Sequence, residues 1–249
     1  YLNITTKGFK ESIQSEIYVD KTGIIALLNR MIDTEQKYVC VSRPRRFGKS
    51  MTVKMLSAYY NIEADSDEMF CNMKVGEDDT YKKYLNKYEV VLANMQEFYS
   101  RNTDIDLMVR RINDEICREL KKKYPDVEYT DEKNLVETMY DIFLSTNRTF
   151  IILVDEWDCI FREAGCGEEG WQKYLNFLRY WMKDKPYVSL AYMTGILPIK
   201  KYGNHSALNM FTEYSMTNPK RMGCYMGFTG REVEKLCIQY RMSFEDVKV

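Results

Sequence analysis

The run TFIILVDEWD, residues 149–158, is uninterruptedly apolar from Phe150 to Val154 and then turns acidic at Asp155 and Glu156. A strand with one wet face alternates apolar and polar residues. A continuous run is covered on both faces, which is how strands of a parallel sheet between helical layers read. Three other short runs share this character: KYVCVS (37–42), YEVVLANM (88–95) and YVSLAYMTG (187–195). CYMGF (224–228) is the candidate for a fifth strand. Helical spacing fills the intervals, at 22–33, 49–61, 104–124, 131–147, 170–185 and 229–242, the last opening on a Thr229–Glu232 capping box. Strands alternating with helices predict an α/β fold of three layers, αβα, around a mainly parallel five-stranded sheet. With 249 residues and no repeat, low-complexity tract or Gly/Ser linker, one domain over 1–249 is expected.

Between the first strand and its helix lies VSRPRRFGKSM, residues 41–51. A phosphate-binding loop needs backbone N–H groups converging on an anion at a helix N-terminus. Gly48 permits close backbone approach, Lys49 reaches the β- and γ-phosphates, and Ser50 offers a hydroxyl to Mg²⁺. The head of the loop departs from this pattern, because Arg43 stands where a first glycine is usual, and Arg45 and Arg46 crowd the middle. Pro44 pre-sets the turn with a negative φ. The triplet Gly48-Lys49-Ser50 alone is also compatible with a basic surface turn.

The acid pair decides between these readings. Two carboxylates at the end of a buried strand need a reason, since burying them is costly. In phosphate-loop enzymes the first acid, here Asp155, holds the Mg²⁺ shell, and the second, here Glu156, polarises the attacking water. A strand and two long helices between Lys49 and Asp155 leave room for the additional strand of the branch that carries a catalytic glutamate. Thr194, ending a later strand, takes the place of the polar residue that contacts the γ-phosphate or the water. Its alternative is an ordinary strand-end threonine.

Together, YVDKTGII, RPRRFGKS, LVDEWD, TGILPI, SALNMFTEYSMT and GFTGREVEKL resemble the bacterial AAA-ATPase-like family, over about Tyr18 to Leu236. The resemblance implies a P-loop NTPase of the additional-strand, AAA-like branch, with ATP and Mg²⁺ as ligands and an altered loop that is a family habit. It implies that Gly48, Lys49 and Ser50 bind phosphate and metal, with Arg45, Arg46, Phe47 and Met51 completing the loop's contacts with nucleotide. Arg45 and Arg46 would neutralise phosphate, reach a neighbouring subunit's nucleotide, or remain solvated. Asp20 would lie toward the base of the nucleotide, or cap the helix that follows it. Many members continue into a PD-(D/E)XK nuclease-like domain, so the nucleotide cycle is expected to regulate such a domain or a separate partner, and a homo-oligomer is a further expectation. The stretch 229–249 reads as the start of a C-terminal helical subdomain that is cut short.

Three function classes stay open. The first is a Mg²⁺-dependent ATPase with Lys49, Glu156 and Thr194 as catalytic groups. The second is a non-hydrolysing ATP-binding switch or structural module, favoured by the altered loop and the absent lid. The third is a small-molecule kinase, against which the Asp155–Glu156 pair and Thr194 argue. Lys and Arg number 36 against 37 Asp and Glu, for a net charge of −1, which argues against direct nucleic-acid binding. Trp171, Tyr174, Phe177, Tyr180 and Trp181 are spaced for a helix face that packs in a core or interface rather than stacking on bases. The seven cysteines are scattered without a C-x-x-C pair, so a zinc knuckle is not expected and a reducing cytoplasm is. The lone His205 reads as a solvent-facing loop residue. No apolar run is long enough to span a bilayer, and a start without a Met or a signal pattern suggests a trimmed beginning.

Overall fold

The computed structural model describes residues 1–101, 104–163, 167–199 and 208–247; His205 and Cys166 lie outside them. Five strands, β1 (Tyr38–Ser42), β2 (Glu89–Asn94), β3 (Phe150–Asp155), β4 (Val188–Gly195) and β5 (Thr212–Tyr214), form one sheet in the order β2-β3-β4-β1-β5. Every pairing is parallel. The helices, in chain order, are α1 (Lys7–Ile13), α2 (Gly23–Asn29), α3 (Lys49–Tyr60), the single turns α4 (Asp67–Phe70) and α5 (Tyr81–Tyr84), α6 (Met95–Arg101), α7 (Ile105–Lys123), α8 (Leu135–Thr146), the short α9 (Cys159–Arg162) and α10 (Gly167–Met182). A further helix, Gly230–Tyr240, opens on the Thr229–Glu232 capping box.

The alternation of β3 divides the interior in two. Phe150, Ile152 and Val154 join one apolar cluster with Met108, Ile112, Met139, Leu178 and Trp181 of α7, α8 and α10. Ile151 and Leu153 join the other with Ile24, Leu28, Val53 and Leu56 of α2 and α3. Both faces of the sheet are therefore covered, as the apolar run requires. Tyr174 and Trp181 of the aromatic helix face are buried in the first cluster, whereas Tyr180 is half exposed. Two helices start at side-chain caps ahead of the third strand: Asp104 accepts from Leu107 N–H at α7, and Asn134 accepts from Val136 and Glu137 N–H at α8. The Asn134 cap begins α8 at Leu135 rather than at Asp131, where the periodicity alone places it. Among the described residues, no helix is long and apolar enough to cross a membrane, and the six described cysteines are free.

The fifth strand lies at Thr212–Tyr214, not at 224–228. Its three residues are too few to show a pattern, and its centre is a charged residue, Glu213, whose carboxylate accepts from Ser42 Oγ and Ile199 N–H. The 224–228 segment instead leaves a 3₁₀ turn (Lys220–Tyr225) and passes through Gly227 at φ 73°, outside the strand region. Gly227 N–H donates to Phe47 O, and a Cβ there would stand 2.8 Å from the Phe47 ring. This segment thus walls the loop rather than extending the sheet.

Arg43 explains the altered head of that loop. It is 2% exposed, and its backbone N–H donates to Gly195 O of β4. Its guanidinium donates to Ser42 O at 2.8 Å and to Tyr214 O of β5 at 2.7 Å. It therefore laces β1 to both neighbouring strands where their ladders end. Arg43→Ala is expected to lower stability by about 1–3 kcal/mol, the scale for losing a charged donor to buried carbonyls. This would be read as a drop in the urea midpoint, and an unchanged midpoint would show that the lacing contributes nothing.

Candidate nucleotide site

Parallel strands bring all their C-terminal ends to one edge, and ligands of such sheets bind outside that edge. Because β4 lies between β1 and β3, register places Asn94 beside Asp155, Asp155 beside Thr194, and Thr194 beside Val41. The loop leaves β1 at Ser42 and exposes Pro44, Arg45 and Arg46. Arg46 and Gly48 both take the left-handed conformation, at φ 70° and 78°, which turns the chain sharply into α3. No side chain caps α3, so its first N–H groups remain available to an anion. Lys49 is buried at the start of this helix, and its Nζ donates to Pro44 O at 2.9 Å, spanning the mouth of the loop.

The acids meet the loop from β3. Asp155 is 4% exposed and accepts from the Ser50 hydroxyl and from Glu156 N–H. Burial lifts its carboxyl above the usual range; the Ser50 hydrogen bond and Lys49 oppose this, and the Glu156 charge adds to it. Burial likewise lowers Lys49, with Glu156 and then Asp155 the main opposing charges. Lys49, Ser50, Asp155 and Glu156 therefore occupy one electrostatic neighbourhood. Glu156 sits at φ 53°, a strained conformation for a side-chain-bearing residue, and its carboxylate pairs with Arg162. Thr194 is fully buried at the same edge, with its hydroxyl donating to Val41 O at 3.1 Å.

Beside the loop lies a cavity of about 220 Å³. Its walls come from Ile17, Tyr18 and Val19 on one side and from Phe47, Met51, Tyr225 and Phe228 on the other, with Lys21, Arg46, Gly48, Thr52 and Gly227. Pockets that enclose a whole drug-sized ligand hold roughly 300–1,000 Å³; this one suits a single flat, mainly apolar end of a ligand whose charged end lies on the loop. Lys21 anchors the far wall, donating to Cys224 O at 2.8 Å and pairing with Glu232 at 2.5 Å.

The structure thus brings Lys49, Ser50, Asp155, Glu156 and Thr194 to one edge, and sets Arg46, Phe47, Gly48 and Met51 along the cavity. Arg45 is exposed on the loop. Asp20 is not in the cavity wall: its carboxylate accepts from Thr22 N–H and Oγ1 and from Lys74 N–H, closing a turn ahead of α2. Tyr18 and Lys21 of YVDKTGII, Asp158 of LVDEWD and Phe228 of GFTGREVEKL stand inside the motifs, whereas Arg162 stands outside them. The trace of Arg162 in the sequence is its place four residues after Asp158.

Among the described residues, no three or more His, Cys, Asp or Glu side chains gather as a metal cage. A hydroxyl and one buried carboxylate at Ser50 and Asp155 nonetheless fit Mg²⁺, which takes most of its ligands from water and phosphate oxygens.

A family model described as Predicted AAA-ATPase matches residues 3–203. No curated protein matches the chain. Among solved structures, the chain is similar to an Aeropyrum pernix ORC1 protein in complex with DNA, with TM-score 0.48 and 11% identity over 95% of this chain and 53% of that one. It is also similar to an Aeropyrum pernix ORC2 protein described with ADPNP and ADP, with TM-score 0.44 and 10% identity over 94% and 54%. Pyrobaculum aerophilum Cdc6p gives TM-score 0.40 and 14% identity over 94% and 52%. The chain spans about half the length of these structures.

The raised Asp155 carboxyl has a stability consequence. The folded state binds this proton more tightly than the unfolded state, so the associated stability is present below the ordinary value of 3.8 and is lost as pH rises through the raised value. Asp155→Asn keeps an acceptor for Ser50 and Glu156 N–H without the charge. It is expected to raise the urea midpoint at pH 7.5, with the gain shrinking toward pH 4, while Mg·ATP affinity falls by about tenfold or more. Paired denaturation and calorimetric titrations check both halves.

Proposed function

The chain belongs to the Predicted AAA-ATPase family, and we propose that it is a Mg²⁺-dependent ATPase working at the C-terminal edge of β1, β4 and β3. The observation that carries this reading is the convergence of Lys49 and Ser50 on the loop side with Asp155 and Glu156 on the strand side.

In this reading the triphosphate lies on the free N–H groups of α3, with Lys49 leaving Pro44 O to meet the β- and γ-oxygens. Arg46, and Arg45 from the exposed part of the loop, add positive charge around the phosphates. Ser50 and Asp155 hold Mg²⁺, which when bound neutralises charge on the phosphate oxygens. Glu156 orients the attacking water and accepts its proton. Thr194 keeps the exit of β4 against β1 through the bond from its hydroxyl to Val41 O. The adenine end enters the cavity between Tyr18 and the wall formed by Phe47, Met51 and Phe228. The cycle would act on a partner, either a C-terminal nuclease-like domain or a second protein, through the helix Gly230–Tyr240 at the start of a helical subdomain, in a monomer or a homo-oligomer.

A second reading, an ATP-binding switch without turnover, is favoured by one observation: the Glu156 carboxylate is already engaged by Arg162.

Calorimetry with Mg·ATP and an assay of phosphate release separate the two. In the hydrolytic reading, Lys49→Ala loses at least about tenfold in affinity. Glu156→Gln binds as the unsubstituted chain does, but releases phosphate about 100-fold or more slowly. Tight binding without release selects the switch. Equal binding by Lys49→Ala and the unsubstituted chain refutes the site.

A further inference from the structure

Glu156 departs from β3 in a left-handed conformation that leaves its side chain without the sheet's support. Arg162, from α9, supplies the missing constraint. One Nη of its guanidinium bonds the Glu156 carboxylate, and its Nε stands 3.2 Å from Asp158 Oδ2, an ion pair without a hydrogen bond. Asp158 has no exposure, and the same Oδ2 accepts from Ile196 N–H at 3.1 Å and Leu197 N–H at 2.8 Å. The chain leaving β4 is thus bonded to the acid that pairs with the arginine.

The packing allows little slack in this relay. Trp157 N–H donates to Thr194 O, and Tyr174 Oη donates to Trp157 O. A Cβ on Gly195 would stand 2.4 Å from Asp158 Oδ1 and 2.7 Å from the Trp157 ring. Gly195 is therefore a glycine because acid and indole close on its backbone, whatever its φ. Arg162 is 17% exposed and Glu156 22%, so the pair is sheltered yet open to the site.

Resting on the hydrolytic reading of Glu156, we infer that Arg162 is a positioning residue for ATP hydrolysis. It fixes the direction of the Glu156 carboxylate and ties that direction, through Asp158, to the backbone leaving β4. Lys49 and Ser50 bind nucleotide without its help, so its removal acts on turnover and not on affinity.

The test is a double-mutant cycle on the full chain, with Mg·ATP as ligand and phosphate release as readout. Arg162→Ala is expected to lower kcat by about 10- to 100-fold, the scale for displacing a reacting group by an ångström, and to leave KM within about threefold. Arg162→Lys recovers part of the loss. In the Glu156→Gln background, neither substitution lowers the residual rate further. Arg162→Ala also strips the buried Asp158 of its counter-charge. If its urea midpoint shows that it does not fold, Arg162→Lys in the two backgrounds decides by the same criterion. Turnover that is unchanged or raised in the Arg162 variants overturns the inference, as does an equal loss with Gln at position 156. No turnover by the unsubstituted chain overturns the hydrolytic reading, and this inference with it. Turnover that survives Glu156→Gln undiminished refutes Glu156 itself.

Discussion

Covering the sheet on both faces is the constraint from which the rest follows. Along β3 every residue is buried, and a carboxylate in mid-strand would pay the full cost of desolvation. Along a strand covered in this way, charge can therefore collect only at the ends. Parallel pairing brings those ends to a single edge, and the insertion of β4 sets their spacing. With neighbouring strands about 4.8 Å apart, the ends of β1 and β3 stand about 10 Å apart, and the side chains of the loop and of the acids reach toward each other across that gap. An arrangement with β1 directly beside β3 would press Lys49 against Asp155 as a closed ion pair.

The loop meets this geometry with unusual residues. The position normally held by a first glycine carries Arg43, whose guanidinium turns inward to the carbonyls of Ser42 and Tyr214. The conformational freedom a glycine would supply is moved to Arg46 and Gly48, both left-handed. An arginine at φ 70° is a strained choice, held here by a loop anchored at both ends: Arg43 at the strand and Gly48 O, which accepts from Thr52, at the helix. The functional requirement is the path of the backbone, and more than one residue pattern can satisfy it.

Much of this was legible in the sequence. The strands β1 to β4, the longer helices and the Thr229 cap lie within a few residues of their expected positions, because apolar periodicity and capping chemistry are local signals. The loop and the acid pair were legible because each is a short motif on a defined element. What escaped depended on distant partners. The pairing of β5 with β1 is decided by neighbours more than 170 residues away, and Glu213 at its centre hides it. Asp20 reads equally well as a ligand contact or a helix cap until Lys74 is brought against it. The roles of Lys21, Arg162 and Phe228 exist only in the folded chain, where a lysine near the N-terminus meets a glutamate 211 positions later.

That last contact bears on how the protein is made. The cavity is walled by Ile17, Tyr18, Val19 and Lys21 from one part of the chain and Tyr225, Gly227 and Phe228 from another, and Lys21 joins the wall to Glu232. The cavity is not walled on both sides until residues 225–228 have been made, although the loop between β1 and α3 is complete far earlier. A ligand that binds the finished fold and not its precursors stabilises only the finished fold, by RT ln(1 + [L]/Kd). Nucleotide in the cell would thus reward chains that have brought both ends together. The loop alone, like any bare helix N-terminus, would hold phosphate too weakly to protect a chain still being made.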